Sequence, residues 1–176
     1  MRWTVHGERS LYESPWVSLR LVDVELPDGE RFEHHVVRLP RAAVAVVVTD
    51  PERGVLLIHR HRFITDTWGW EVPAGGVEDG ETPAQAGARE TLEETGWRPG
   101  PLTPVGVFHP SNGLCDQRCH VFAAAGATHI GDPVDAHEVE RVAWVPEDEV
   151  CALVRDGGIP DGLSLTSLLW TLFDRP

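Results

Sequence analysis

Three glutamates, Glu90, Glu93 and Glu94, fall within five consecutive positions of one predicted helix, directly after Arg89. Residues three and four positions apart are neighbours on a helix, so these carboxylates come close together. Each such like-charge pair costs about 0.2–0.5 kcal/mol. A solvated acidic face is the common explanation of a run of this kind. A bound cation is the alternative, because it would offset the repulsion.

The loop before this helix, with the sequence PAGGVEDGE, favours the bound cation. Gly75 and Gly76 permit backbone conformations that other residues avoid, so main-chain carbonyl oxygens can face a cavity. Several hard oxygen ligands at one place select Mg²⁺ or Mn²⁺, which leave coordination positions for water and for substrate phosphates. The sequence therefore predicts a divalent metal site.

Both ends of this helix are marked in the sequence. Thr82 is placed to cap the N-terminus, with proline at the first helical position and Gln85 three residues after the cap. Gly96 is placed to end the helix. A rotation of about 100° per residue predicts a buried stripe on the side opposite the glutamates. The members of this stripe are Ala84, Ala88, Leu92 and Thr95.

Length and charge restrict the classes of function. The chain has 176 residues, which is enough for one domain with a substantial core. Its formal net charge of −13 argues against a broad nucleic-acid-binding face. An anionic substrate would therefore need local help from metal ions or from a few arginines.

The sequence shows neither a membrane span nor a secretory signal. The longest apolar run, residues 42–48, is far shorter than the roughly 20 residues that cross a bilayer. The N-terminal sequence MRWTVHGERS lacks a signal pattern, and three cysteines suggest no disulfide framework. We predict a cytoplasmic protein. Zinc binding by Cys115, Cys119, His120 and Cys151 is a weaker alternative to apolar packing, because their spacing matches no familiar structural site.

Strand signals dominate the rest of the chain. The turn PDGER joins two strand-like runs, and the turn DPERG joins two more. The predicted strands lie within residues 16–26, 32–39, 42–50, 55–63, 105–110, 119–126 and 139–146, and two further helices lie within residues 147–158 and 163–173. Neighbouring strands with one helix between them and two at the end predict an α/β (α+β) fold, a mixed β-sheet covered by helices.

The segment GGVEDGETPAQAGARETLEETGW, residues 75–97, resembles a complete Nudix signature. The matching positions are Gly75, Glu81, Arg89, Glu90, Glu93, Glu94 and Gly96. Thr91 is the one departure, at a position where an aliphatic residue is commoner. The resemblance implies a Nudix fold, with a mixed β-sheet sandwiched between helices. It also implies hydrolysis of a nucleoside diphosphate linked to some other group.

The resemblance assigns roles to the residues of the signature. Glu90 and Glu94 look like metal ligands, as does the carbonyl group of Ala74. Glu93 is expected to bind a further metal ion or to accept a proton. Arg89 resembles the arginine that orients these carboxylates in the family.

Glu81 has two interpretations. It is expected to support the loop and the helix in the way that the family uses this position. The alternative is a first-turn charge that interacts with the helix dipole.

Motifs outside the signature resemble the ADP-ribose pyrophosphatase branch of the family. They are LPDG at 26–29, HRHRF at 59–63, WEVPAGG at 70–76 and SNGLCDQRCHVF at 111–122. This branch implies a homodimer, with a small N-terminal antiparallel β-sheet for dimerisation in residues 1–40 and the hydrolase domain in residues 41–176. One departure is that Asn112 follows Ser111, where the branch usually has proline soon after the serine.

The same motifs indicate the substrate-binding residues. Arg62, Glu71 and Gly75 are the predicted substrate contacts, although an exposed strand arginine and a structural ion pair are the alternatives for Arg62 and Glu71. Trp68 and Trp70 could stack on a base, but aromatic residues at such positions are more often part of a core or an interface.

An additional carboxylate from the loop GDPVDAHEVERVAWVP is expected as a metal ligand or general base. The candidates are Asp135, Glu138 and Glu140, and the family pattern favours Glu138. The predicted reaction is Mg²⁺-dependent hydrolysis of ADP-ribose to AMP and ribose 5-phosphate. Another nucleoside diphosphate sugar, NADH or a dinucleoside polyphosphate is the alternative substrate, and a non-catalytic nucleotide sensor is the alternative of another class.

Overall fold

The computed structural model describes residues 1–134 and 138–172, and these contain twelve strands and three helices. The strands are β1 (Thr4–Glu13), β2 (Ser18–Glu25), β3 (Arg31–Arg38), β4 (Ala43–Asp50), β5 (Gly54–Arg62), β6 (Thr67–Glu71), β7 (Ala74–Gly76), β8 (Trp97–Pro99), β9 (Thr103–Phe108), β10 (Cys119–Ala125), β11 (Ala127–His129) and β12 (Arg141–Val145). The helices are α1 (Pro83–Thr95), α2 (Glu147–Arg155) and α3 (Gly162–Leu172).

The chain divides into two compact units. The first unit comprises residues 1–42 and 109–118, and the second comprises residues 43–108 and the remainder from Cys119 onward. In the first unit β1, β2 and β3 form an antiparallel sheet, and β2–β3 is the hairpin predicted around PDGER. The division at residue 40 that we predicted from the sequence remains a prediction.

The second unit contains the mixed sheet that the sequence predicts. Its strand order is β12-β5-β4-β10-β9, with β6 also paired to β5 and β7 also paired to β4. Strands β10 and β4 are parallel, whereas the other pairs are antiparallel, so the predicted fold class is confirmed. Because β7 pairs with the beginning of β4, the Ala74–Gly76 segment is held at the edge of a buried strand.

The two faces of this sheet are covered by different helices. Strand β4 alternates its side chains between the faces, since Val46 belongs to one apolar cluster and Val47 to the other. Ala86 of α1 packs on the first face. Val150 of α2 and Leu168 of α3 pack on the second. The sheet is therefore sandwiched between helices, with α1 on the side that carries the site described below.

Helix α1 begins and ends as predicted, but its buried face differs from the prediction. Thr82 and Gln85 form the reciprocal capping box, and Gly96 ends the helix at φ 73°. The buried residues are Ala86, Gly87, Thr91, Glu94 and Thr95. Of the predicted stripe, Thr95 is buried and Ala84 packs partly buried against the sheet, whereas Ala88 and Leu92 are not among the buried residues. The face containing Gly87 and Thr91 turns toward the sheet because glycine permits close approach. A Cβ atom at Gly87 would lie 2.8 Å from Cγ2 of Val46. This rotation also buries Glu94.

No helix within residues 1–134 and 138–172 is long and apolar enough to cross a membrane. The cytoplasmic location remains a prediction.

Candidate active site

Strand β7 lies against helix α1, and Gly75 leaves room there for a carboxylate. A Cβ atom built on Gly75 would lie 2.1 Å from Cδ of Glu90 and 2.2–2.4 Å from its two carboxylate oxygens. The side chain of Glu90 therefore occupies the space that any other residue at position 75 would fill. This contact places the Glu90 carboxylate beside the backbone next to Ala74, as expected for a shared ligand set.

Arg89 binds three carboxylates at once. Its Nη1 atom donates to Glu90 Oε1 at 2.8 Å and to Glu93 Oε2 at 2.9 Å. Its Nη2 atom donates to Glu81 Oε1 at 2.8 Å and to the carbonyl oxygen of Gly76 at 3.0 Å. These carboxylates, Glu81 first, raise the pKa of Arg89 above its ordinary value. The contacts agree with the orienting role of Arg89 and the supporting role of Glu81, which both remain predictions.

Glu94 is buried, with 3% of its surface exposed. Its Oε1 atom accepts from Nη1 of Arg60 at 2.6 Å, and its Oε2 atom accepts from the backbone N–H of Ala74 at 2.9 Å. Burial raises the pKa of Glu94 to about 7, although the Ala74 N–H and the Arg60 guanidinium both act to lower it. The carboxylate is thus fixed against β7 in an environment that penalises its negative charge.

Arg60 is a residue of this site that the sequence reasoning missed. It is 6% exposed, and its Nη2 atom donates to Glu138 Oε2 at 2.8 Å, so it links Glu138 to the carboxylate helix. Glu140 instead pairs with His59 Nδ1 at 2.7 Å, and Asp135 lies outside the described residues. The sequence did contain a signal for Arg60. It lies two positions before Arg62, the predicted substrate contact, so the two side chains share one face of the strand.

Arg62 and Glu71 form a two-point ion pair. Nε and Nη2 of Arg62 donate to the two oxygens of Glu71 at 2.9 Å and 2.6 Å, and this bond raises the pKa of Arg62 above its ordinary value. Glu71 is 2% exposed, whereas the side chain of Arg62 is 46% exposed. The ion pair that was an alternative for Glu71 is therefore present. Contact with substrate remains a prediction for both residues.

A cavity of about 1170 Å³ opens beside these residues in the second unit. Charged side chains line one part of it, and apolar side chains of the β5–β6 connection line another. Its lining residues include Arg60, Arg62, Phe63, Ile64, Trp68, Glu71, Glu138, Glu140 and Asp161. Trp68 also stacks on His59, with 5.5 Å between the ring centroids and 19° between the planes. The volume suffices for a nucleotide-sized ligand.

The described residues contain no group of three His, Cys, Asp or Glu side chains in an arrangement that could hold a metal ion, whether for Mg²⁺ or for the zinc alternative. The contacts of the carboxylates show what offsets their repulsion in this structure, because Arg89 binds Glu90 and Glu93, and Arg60 binds Glu94. The donor set nevertheless fits a hard cation by its chemistry, because Glu90, Glu93 and Glu94 offer carboxylate oxygens from one helix.

Comparison with known proteins agrees with the fold. The family model described as NUDIX domain matches residues 39–164, and the model described as nucleoside diphosphate sugar hydrolase N-terminal domain matches residues 3–37. A crystal structure of an ADP compounds hydrolase superposes with a TM-score of 0.83 at 20% identity, covering 97% of this chain and 92% of that one.

Two relatives are similar in sequence. CMP-5'-(N-acetyl-N-hydroxy-3-aminopropyl)phosphonate hydrolase of Streptomyces rubellomurinus is 43% identical over 157 residues, which cover 89% of this chain and 76% of the relative. ADP-ribose pyrophosphatase of Bacillus subtilis is 30% identical over 157 residues, which cover 88% of this chain and 84% of the relative.

The sandwiched mixed sheet and the carboxylate helix thus define a known fold, which the solved structure shares. The chain belongs to the Nudix family. The predictions of a Nudix hydrolase and of similarity to the ADP-ribose pyrophosphatase branch are confirmed. Nudix hydrolases generally use divalent metal cations, so the prediction of a divalent cofactor agrees with the family.

The raised pKa of Glu94 predicts a pH dependence of stability in the absence of metal. Below about pH 4.5 the carboxyl group is protonated in both states, and its contribution to stability is fully present. As pH rises toward 7, the unfolded chain ionises first, so this contribution is lost. Urea unfolding in EDTA should show that the free energy of unfolding of the wild-type protein falls by at most about 3 kcal/mol relative to that of Glu94→Gln as the pH rises across this range. Parallel pH profiles for the two proteins would contradict the assignment.

The contact between Gly75 and Glu90 predicts a loss of activity without a loss of fold. In Gly75→Ala the new methyl group would displace the end of the flexible Glu90 side chain, so the backbone need not move. Displacing a catalytic group by about 1 Å can cost roughly 100-fold in rate. We expect a fall in kcat of that order with a thermal midpoint close to wild type. Gly131→Ala is the matched control, because no atom lies within 4 Å of a Cβ atom there. Wild-type kcat in Gly75→Ala would refute the role of this contact.

Proposed function

We propose that this chain hydrolyses the phosphoanhydride bond of a nucleoside diphosphate derivative in a Mg²⁺-dependent reaction, which Mn²⁺ can also support. One observation carries the proposal. The helix that carries Glu90, Glu93 and Glu94 is linked through Arg60 to Glu138. Arg60 and Glu138 both line the cavity. A charged cluster for the phosphates therefore adjoins a space for the rest of the substrate.

The proposed metal site uses carboxylates that Arg89 and Arg60 bind, together with the backbone of β7. Glu90, Glu93, Glu94, the carbonyl group of Ala74 and Glu138 would hold the metal. When bound, the metal would neutralise charge on the diphosphate and lower the pKa of a coordinated water molecule.

The remaining steps belong to the side chains of this chain. Arg89 holds Glu90 and Glu93 in place, which limits the reorganisation needed when substrate binds. Glu93 or Glu138 would take the proton from the attacking water. Arg62 uses two of the five guanidinium N–H donors for Glu71, so its half-exposed side chain can offer others to a phosphate oxygen.

Two substrates are supported by different relatives. ADP-ribose, split into AMP and ribose 5-phosphate, is supported by the branch motifs and by the pyrophosphatase of Bacillus subtilis. A cytidine monophosphate linked to a phosphonate is supported by the more similar Streptomyces relative. In both compounds an anhydride joins a nucleoside monophosphate to a second phosphorus acid. We therefore propose this bond as the shared target, with ADP-ribose as the first candidate.

A substrate panel tests the proposed function. Wild-type protein should release products from ADP-ribose or from a CMP-linked phosphonate in Mg²⁺ or Mn²⁺ faster than from ADP-glucose, GDP-mannose, NADH or diadenosine polyphosphates. Glu93→Gln should lower kcat by roughly 100-fold or more, because it removes a charge that acts on the reacting group. Circular dichroism should show an unchanged fold. Glu52→Gln, which neutralises an exposed carboxylate in the β4–β5 turn, is the control and should keep full activity.

The outcomes of this panel separate substrate from mechanism. Hydrolysis of only another compound in the panel would replace the proposed substrate and keep the reaction. Full activity of Glu93→Gln would remove this residue from the metal or proton-transfer role. No turnover of any compound would contradict the proposed reaction.

We also propose that the protein is a homodimer that uses the first unit. Strand β1 is an edge strand whose ten residues are all exposed, and it carries large apolar side chains. Val5 is 64% exposed and Tyr12 is 58% exposed in the single chain. A long exposed edge with apolar residues is a surface that natural proteins usually cover.

Light scattering measures this assembly directly. The wild-type mass should be twice the 19.5 kDa of one chain, and Val5→Arg should shift it toward the monomer. Glu30→Arg, in the exposed turn between β2 and β3, is the control and should remain dimeric. A monomeric wild-type protein would contradict the proposal.

A further inference from the structure

Arg60 is the buried cation of the site, and it comes from the sheet rather than from the carboxylate helix. Its side chain is 7% exposed, whereas that of Arg89 is 27% exposed. Its Nη1 atom donates to Glu94 at 2.6 Å, and its Nη2 atom donates to Glu138 at 2.8 Å. One guanidinium therefore spans two carboxylates that are far apart in sequence.

The two partners of Arg60 differ in their surroundings. The side chain of Glu94 is 4% exposed and is also fixed by the backbone N–H of Ala74. The side chain of Glu138 is 66% exposed. An exposed glutamate has several accessible rotamers, and holding it in one of them costs conformational entropy. The bond from Arg60 therefore does more to position Glu138 than to position Glu94.

The same contacts place Arg60 in competition with a metal ion. A divalent cation and a guanidinium both seek carboxylate oxygens, and they repel each other at short distance. In this geometry one oxygen of Glu94 and one oxygen of Glu138 are occupied by Arg60. Binding of a metal ion to these oxygens must displace the guanidinium or accept its positive charge nearby.

We propose that Arg60 is a positioning residue with two opposed effects on the reaction: it aligns Glu138 with Glu94, and it weakens metal binding by competing for both. This inference rests on the proposed metal site. Arg60 raises the concentration of metal that the enzyme needs and at the same time keeps the loop carboxylate close to the helix that it must serve. Loss of Arg60 therefore separates metal affinity from turnover, because the two change in opposite directions.

Arg60→Gln tests the inference, because glutamine retains hydrogen-bond donors and removes the charge. Calorimetric titration with Mg²⁺ alone, at about pH 8.5 and so above the raised pKa of Glu94, measures metal affinity without substrate. We expect the dissociation constant to fall by about threefold or more, since a competing charge is removed. Under saturating Mg²⁺ and substrate, we expect kcat to fall by about tenfold or more, since Glu138 is no longer held. A purely structural role would weaken metal binding and turnover together.

Two further variants complete the experiment. Arg60→Lys keeps the charge, but a single ammonium group cannot form the planar two-branched contact. It should bind Mg²⁺ with an affinity within about twofold of wild type and should show reduced kcat. Arg155→Gln removes an exposed charge from α2, on the opposite face of the sheet, and should change neither quantity.

Each result has a defined meaning. Unchanged or weaker Mg²⁺ binding in Arg60→Gln, or wild-type kcat in either Arg60 variant, would overturn the inference and leave the proposed function intact. Absence of Mg²⁺ binding by the wild-type protein would overturn the proposed metal site, and the inference with it. If Arg60→Gln does not fold, the kcat of Arg60→Lys still decides the positioning role.

Discussion

Repulsion among five carboxylates gathered around two arginines is the constraint on which the rest of the site depends. Arg89 binds three of them, and Arg60 binds the other two. When all seven groups are ionised, this set carries three more negative charges than positive ones. Neither arginine alone could bind all five carboxylates. Arg89 is part of the helix itself, whereas Arg60 extends from the sheet to the buried side of that helix.

The sheet satisfies this constraint through its irregular pairing. Strand β5 pairs with β4 only at the turn between them, and β6 then pairs with the distal half of β5. The beginning of β4 is thereby left to β7, which places the small Gly75 against the helix. The same arrangement leaves the end of β5 at the cavity, with Arg60 inside and Arg62 half exposed. Backbone pairing thus determines which arginine meets which carboxylate.

The sequence predicts these parts unequally, and for physical reasons. The capping box and the terminal glycine of α1 are local interactions, so they were predicted correctly. The rotation of α1 was mispredicted because it depends on how closely Gly87 can approach Val46, which is a property of two elements rather than one. Arg60 was missed because strand alternation reveals a shared face and does not reveal that a helix covers it.

The failure to predict two further strands, β1 and β7, has a similar explanation. Strand β1 carries two irregularities in its register with β2, between Val5 and Gly7 and between Ser10 and Tyr12. Each irregularity shifts the alternation of side chains, so no continuous period of two is left to detect. Strand β7 has three residues, two of them glycine, and its extended form comes from pairing with β4. Tertiary contacts decide both segments.

The cavity wall formed by Phe63, Ile64 and Trp68 lies in and after the β5–β6 connection, whereas the carboxylates come mainly from α1. Changes in this connection can therefore alter the shape of the cavity without disturbing the charge balance of the helix. Such a division would allow the substrate specificity to change during evolution while the charged cluster stays the same. Under the proposed function, the charged cluster would determine which bond is cleaved, and the β5–β6 connection would determine which attached group fits.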